Sequence, residues 1–235
     1  LIPYMPQSFE LLMLEFRKVF SGTSAVAPQW ERCTARASSS LGFAVGAMFV
    51  GETYKPSDKK LTESILQYIR ATFERNLPHL DWMDDVTKQR AIEKAKAVTQ
   101  MIGYPEYIKD AAKLDEHYAK MEITNSSFDN AISAIKFGVN RNLAKRHKAP
   151  DPTEWSMGPA EVNAYYAPDK NQIVFPAGIL SKPFYDPLFP MAINFGSIGM
   201  VMGHELTHGF DNMGRLYDKQ GNLDNWWGNQ SAQRF

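Results

Sequence analysis

Apolar residues recur at helical spacing through the first half of the chain. Residues 9–20 repeat them three and four positions apart and stop at Ser21-Gly22, the pattern of an amphipathic helix with a glycine end signal. Residues 57–77 make a second such segment, with Leu61, Ile65, Tyr68, Ile69 and Phe73 on one stripe and Pro78 as its stop. Asp84 or Asp85 can cap a third helix that runs through Lys96 and stops near Gly103-Tyr104-Pro105. A fourth is predicted over 127–145, with Phe128, Ile132, Ile135 and Val139 on its apolar face.

Near residue 150 the texture changes. Pro150, Pro152, Gly158 and Pro159 punctuate the chain, and two short β-like runs follow at 161–166 and 172–175. The turn formers Pro168-Asp169-Lys170-Asn171 between them suit a hairpin or two neighbouring edge strands. After an irregular stretch at 183–190, residues 191–212 read as one long, mostly apolar helix. The pattern predicts a mainly α fold with a small β portion and no internal repeat. The break between a helical portion, 1–120, and a second portion, 121–235, is placed between residues 110 and 155.

Composition narrows the function classes. The chain has 235 residues, 44% hydrophobic and 22% charged, with 26 Lys plus Arg against 26 Asp plus Glu. A balanced charge gives no electrostatic reason to expect nucleic acid as a partner. Lys145-Arg146-His147-Lys148 reads as a solvated helix end favoured by the helix dipole, in preference to a binding patch. The apolar run at 41–50 is broken by glycines and too short to span a bilayer. Leu1-Ile2-Pro3 lacks a charged leader and a start Met, so a processed or internal portion of a longer protein is expected. Cys33 stands alone, while Asn125-Ser126-Ser127 and Asn229-Gln230-Ser231 are glycosylation sequons at Asn125 and Asn229. In an extracellular setting, an unpaired Cys33 implies a partner cysteine outside these residues.

The chemistry is concentrated in Gly203-His204-Glu205-Leu206-Thr207-His208-Gly209-Phe210-Asp211. His204-Glu205-x-x-His208 matches the HExxH zinc signature. Positions four apart lie one above the other on a helix, so both imidazoles can reach one tetrahedral zinc. Glu205 is offset by one residue, where it can take a proton from a metal-bound water. The bland alternative is a chance match on a buried helix, but two histidines and a glutamate are costly to bury there without a metal or hydrogen-bond partners. Asp211, three residues after His208, is a natural acceptor for an imidazole N–H. Catalytic zinc needs a third protein ligand. The metzincin pattern requires Gly at 211 and His at 214, and Asp211 and Gly214 exclude it. No glutamate follows Glu205, and only Asp211, Asp218 and Asp224 are acidic downstream. The ligand set is therefore incomplete as written.

Four blocks bring a family to mind: Val162-Asn163-Ala164-Tyr165-Tyr166; residues 171–180; residues 199–211; and Gly221-Asn222-Leu223-Asp224-Asn225-Trp226-Trp227. In order and spacing the chain resembles the neprilysin and endothelin-converting enzyme family of zinc metalloendopeptidases, which are ectodomains of type II membrane proteins. Weaker similarity includes Trp30-x-x-Cys33, Trp82-Met83-Asp84 and residues 102–105. The resemblance implies a helical domain followed by the first half of a thermolysin-like zinc peptidase domain. It also implies an extracellular location, either as an ectodomain or as a secreted form. His204 and His208 are implied as ligands of one Zn2+, Glu205 as the catalytic carboxylate and Asp211 as support behind the metal. Asn163 and Ala164 are implied to hold the substrate backbone, in keeping with an edge strand that takes an extended peptide. Ile179, Phe184, Met200 and Val201 are implied as a hydrophobic pocket, although core packing explains them nearly as well. The family's third ligand, a glutamate, belongs several tens of residues beyond His208.

The expected function is hydrolysis of small extracellular peptides on the amino side of hydrophobic residues. The expected partners are those peptides and the remainder of the ectodomain, as a separate chain or through a Cys33 disulfide. The competing readings are a non-catalytic peptide-binding fragment that lacks the third ligand, and a helical scaffold with an accidental motif.

Overall fold

The computed structural model describes residues 4–235, so Leu1-Ile2-Pro3, where a leader was sought, lies outside the described residues. Two compact units interleave along the chain: Leu1–Val45 with Tyr107–Ala149, and Gly46–Glu106 with Pro150–Phe235. The mostly helical architecture with one small sheet is the one the residue pattern predicts.

In the first unit, α1 (Gln7–Ser21) and α2 (Gln29–Ser40) each begin after a proline, Pro6 and Pro28, whose fixed φ suits a helix entry. Gly22 ends α1 at φ 65°, the left-handed conformation expected of a glycine stop. Glu10 receives both Arg32 and Arg36, tying α1 to α2. The apolar face of α1 is present but uncovered among the described residues, with Leu12 69% and Val19 83% exposed. Neither α2 nor the eight-residue α6 (Ala111–Tyr118) was marked by periodicity. Both are short; α2 is held through Arg32 and Arg36, and α6 packs through aromatic side chains. Around His117 lie Phe43, Tyr107, Tyr118 and Phe137. That cluster also fixes the orientation of α7 (Ser127–Ala144), which turns Ala131 and Phe137 inward and leaves Ile135 and Val139 exposed. The predicted apolar face of this helix is thus rotated. Residues 145–148 are exposed beyond it, as expected of a helix end. The apolar run at 41–50 forms α3 (Gly42–Thr53), and no helix among the described residues is long and apolar enough to cross a membrane.

The second unit is built around β3 (Gln172–Pro176), all of whose residues are buried. β1 (Thr99–Gly103) pairs parallel with it, from Thr99 opposite Gln172 to Gly103 opposite Pro176. β2 (Tyr165–Ala167) pairs antiparallel, with Tyr165 opposite Val174, and is one edge of the sheet. The predicted hairpin is therefore present, turned by Pro168–Lys170 in a single 3-10 turn and by Asn171 at φ 44°. β2 starts later than residue 161, because the Glu161 amide donates to the Gly158 carbonyl and curls the chain first. β1 was not anticipated. Its partner lies some seventy residues away, and no local period records such a pairing.

Helix α4 (Pro56–Asn76) lays Leu61, Ile65, Ile69 and Phe73 on the core as predicted. Tyr68 instead points outward at 65% exposure, and Leu66 is buried in its stead. α5 (Asp85–Ala97) is capped by Asp84, whose Oδ1 accepts from the Thr87 amide at 2.9 Å. The long helix expected over 191–212 is two helices, α8 (Met191–Gly196) and α9 (Ile198–His208). Ser197 breaks it at φ −102°, ψ −89°, with its Oγ 2.7 Å from the Ile193 carbonyl and 2.5 Å from that of Phe184. Ile198, Met202 and Leu206 of α9 pack with Ile65, Leu66, Ile173 and Phe175 into the main core. Each such side chain contributes about 1.5–3 kcal/mol on burial. A second apolar cluster joins Leu77, Met83, Ala91 and Ala95 to Phe210, Trp226 and Trp227. The short α10 (Asn229–Arg234) returns Ser231 to the Asp84 cap.

Candidate metal centre

Ile198, Met202 and Leu206 recur every four residues and put one face of α9 into the core. His204 and His208 share a neighbouring face, where His204 is exposed and His208 half-buried. Their rings meet edge-on at 84° with centroids 4.5 Å apart, and the two Nε2 atoms stand 3.0 Å apart. Two nitrogens on a tetrahedral zinc with bonds of about 2.0–2.1 Å lie about 3.4 Å apart, so the pair converges as zinc ligands must. The donor set fits one divalent zinc. Among the described residues no third His, Cys, Asp or Glu completes a metal-binding group with them.

The other ring nitrogen of His208 is already engaged. Nδ1 lies 2.7 Å from Oδ2 of Asp211, which leaves Nε2 as the outward, metal-facing atom. Asp211 does not sit on the helix as the longer prediction had it. α9 ends at His208, and Asp211 heads the following turn, its Oδ1 accepting from the amides of Met213 at 2.9 Å and Gly214 at 2.7 Å. Burial works against this carboxylate, but the Gly214 amide, His208 and the Met213 amide outweigh it and hold its pKa below the ordinary value. The turn is tight enough that a Cβ on Gly214 would collide with the His208 carbonyl, which explains the glycine there.

Glu205 is 6% exposed, beside the histidines but turned toward the sheet. Burial pushes its carboxyl above the usual glutamate range, against the pull of His208, His204 and the backbone amide of Tyr166, which donates to it. β2 and the acidic residue of the motif are thereby in direct contact. Tyr166 also lays its ring against Gly209 and donates its hydroxyl to Asn171 Oδ1 at 2.9 Å.

The positions implied for peptide binding lie close by along the chain. Asn163 is exposed just ahead of β2, with its Oδ1 accepting from the Ala164 amide at 2.9 Å, and Ala164 is buried. Ile179 is in the main core, with Phe184 and Val201 packed against it. Met200, 61% exposed on α9, is not brought into that group. Asn125 and Asn229 are exposed, and so is Cys33. Two residues linked to these elements had no such role marked in the sequence: Lys94 carried no signal at all, and Asn171 read only as a turn former. Only their complete burial among backbone carbonyls reveals them.

Known proteins match this chain in family and in fold. Two family models, both described as Peptidase family M13, match residues 1–105 and 163–235, about three quarters of the chain. An endothelin-converting enzyme homolog of Locusta migratoria is 43% identical over 233 residues, which is 99% of this chain and 32% of that protein. Neprilysin-3 of Drosophila melanogaster is 45% identical over 93% of this chain and 28% of its own length. The chain thus spans about a third of the length of the curated relatives it matches. Among solved structures, the zinc metalloprotease Zmp1 of Mycobacterium tuberculosis, in complex with inhibitor, superposes with a TM-score of 0.88 at 33% identity. That match covers 99% of this chain and 34% of Zmp1. With motif, fold and relatives in agreement, the chain belongs to peptidase family M13.

Proposed function

We propose that this chain carries the metal helix and peptide-binding edge of a zinc metalloendopeptidase that cleaves small extracellular peptides on the amino side of hydrophobic residues. The observation that carries the reading is the convergence of His204 and His208 Nε2 atoms at 3.0 Å, with Asp211 behind His208 and the Glu205 carboxylate alongside. When bound, zinc polarises the scissile carbonyl and makes water acidic enough to lose a proton near neutral pH. Glu205 takes that proton. Its raised pKa, caused chiefly by burial, suits it to hold the proton and then release it to the leaving amine nitrogen. Asp211 fixes the His208 tautomer and ring plane through Nδ1. An extended substrate would lie along β2, with Asn163 and Ala164 gripping its backbone. The hydrophobic side chain after the cut would meet Ile179, Phe184 and Val201, with Met200 at the outer rim.

The described residues offer two histidines and no third ligand beside them, and the chain spans 32% of the Locusta relative's length. An exposed Cys33 and exposed Asn125 and Asn229 suit an extracellular ectodomain or secreted form bearing a disulfide and glycans. The two-histidine donor set also suits a second reading, a peptide-binding fragment without turnover. One experiment separates them: cleavage of a quenched-fluorescent peptide, with chelator, zinc add-back and a Glu205→Gln control. Cleavage that is lost with chelator, restored by zinc and absent in the variant supports the peptidase. Bound zinc without any cleavage supports the fragment.

A further inference from the structure

Lys94 lies in the last turn of α5 and is 1% exposed. A buried ammonium is costly unless each of its three N–H groups finds an acceptor. Here each does. Nζ donates to the carbonyls of Gly209 at 2.7 Å, Gly214 at 2.7 Å and Tyr217 at 2.6 Å. The rings of Tyr166, Phe210 and Trp226 surround it at 5.9, 5.5 and 5.5 Å from their centroids, close enough for favourable cation–π contact.

Those three carbonyls bracket one feature. Gly209 comes two residues before Asp211, and Gly214 three residues after it. Gly214 is held from both sides, its amide donating to Asp211 Oδ1 and its carbonyl accepting from Lys94. The backbone of Lys94 extends the same buried network, because its carbonyl accepts from Asn171 Nδ2 at 3.2 Å. Asn171 in turn accepts from Tyr166, whose amide reaches Glu205. A lysine present only to satisfy the end of a helix needs no bond to Gly214 or Tyr217.

We infer that Lys94 is a positioning residue for the metal centre: it clamps both ends of the turn that aims Asp211 at His208 Nδ1. The inference rests on the zinc reading given above. Without the ammonium, the buried Gly209 carbonyl loses its donor, and those of Gly214 and Tyr217 keep only the Tyr217 amide and the Trp226 indole N–H; the clamp across the turn is gone, so Asp211 no longer holds the imidazole in one orientation. Partners behind a metal-bound histidine are worth about 10–100-fold in metal affinity, and that is the scale of the effect.

The test uses the full natural chain and reads zinc affinity by chelator competition, together with the melting temperature of the zinc-free protein. Lys94→Met keeps the side-chain volume and removes the charge. Met83→Ala, in the second apolar cluster with Phe210 and Trp226, serves as a control that lowers stability there without removing any hydrogen bond of the turn. Lys94→Met is expected to weaken zinc binding about 10–100-fold, with Met83→Ala leaving it within about twofold. Combined with Asp211→Asn, Lys94→Met should add little, because both changes remove the same contact. Equal zinc affinities for Lys94→Met and the control, or effects that multiply in the double variant, would overturn the inference. If Lys94→Met does not fold, Lys94→Arg keeps a cation without the three-carbonyl geometry, and wild-type zinc affinity in that variant overturns it as well. A wild-type protein that binds no zinc defeats the zinc reading itself, whereas zinc-binding wild type with an unmoved Lys94→Met defeats only this inference.

Discussion

Asp211 reaches His208 from outside the helix, with its Oδ2 2.7 Å from Nδ1 and its Oδ1 anchored by two backbone amides. The carboxylate is therefore fixed before it touches the imidazole. Asp211→Asn keeps the shape but removes the charge and one acceptor. Zinc affinity should fall about 10–100-fold, measured by chelator competition, while the unfolding midpoint of the zinc-free protein moves little. Unchanged zinc retention would mean that His208 is oriented by something else.

Glu205 has the opposite profile on the proposed reading, which gives it the proton transfer and no part in supporting the metal ligands. Glu205→Gln should lower peptide turnover by about 10²–10⁴-fold, the range for loss of a general acid–base group. Bound zinc should stay at wild-type stoichiometry by elemental analysis. A variant that still cleaves at near-normal rate would remove Glu205 from the mechanism.

The seating of α9 rests on its apolar face. Leu206, next to Glu205 in sequence, is 1% exposed and belongs to the main core. Leu206→Ala should cost about 2–5 kcal/mol of stability through lost burial and the cavity left behind, read from denaturant unfolding. A loss under about 1 kcal/mol would show that the helix is seated by other contacts.

Asp84 makes a prediction about pH. The Ser231 hydroxyl and the Thr87 amide hold its pKa at about 2, below the ordinary 3.8. A carboxylate depressed in the folded state stabilises it at pH values above the ordinary pKa, and that contribution is lost as pH falls through the folded value. Wild-type melting temperature should therefore drop between about pH 4 and pH 2 by more than that of Asp84→Asn. The variant should also melt lower than wild type at neutral pH. Parallel melting curves for the two proteins across that window would exclude Asp84 as the cause.

Much of this protein is written locally. A four-residue spacing on a helix is enough to bring His204 and His208 together, because 3.6 residues make one turn, and Glu205 follows from the same geometry. Asp84, Pro168 to Asn171 and Gly22 act through their own backbone preferences, so the cap, the hairpin turn and the end of α1 were legible from neighbouring residues alone. Periodicity also marked α1, α4 and α7, since each is long enough to repeat its pattern.

What periodicity does not record is which neighbour covers a face and where distant segments meet. The face of α7 follows an aromatic cluster that includes His117, and on α4 it is Leu66 and not Tyr68 that meets the core. β1 exists because residue 99 finds residue 172, and the break at Ser197 exists because a carbonyl from Phe184 lies within reach. Lys94 shows the same limit most sharply. Its sequence context is that of any solvated helix lysine, and only the folding of residues 209–217 around it gives its ammonium three backbone carbonyls beside Asp211. Local sequence settles conformations whose energy lies within a few neighbouring residues. Burial and long-range hydrogen bonds depend on the whole fold, and they decided the rest.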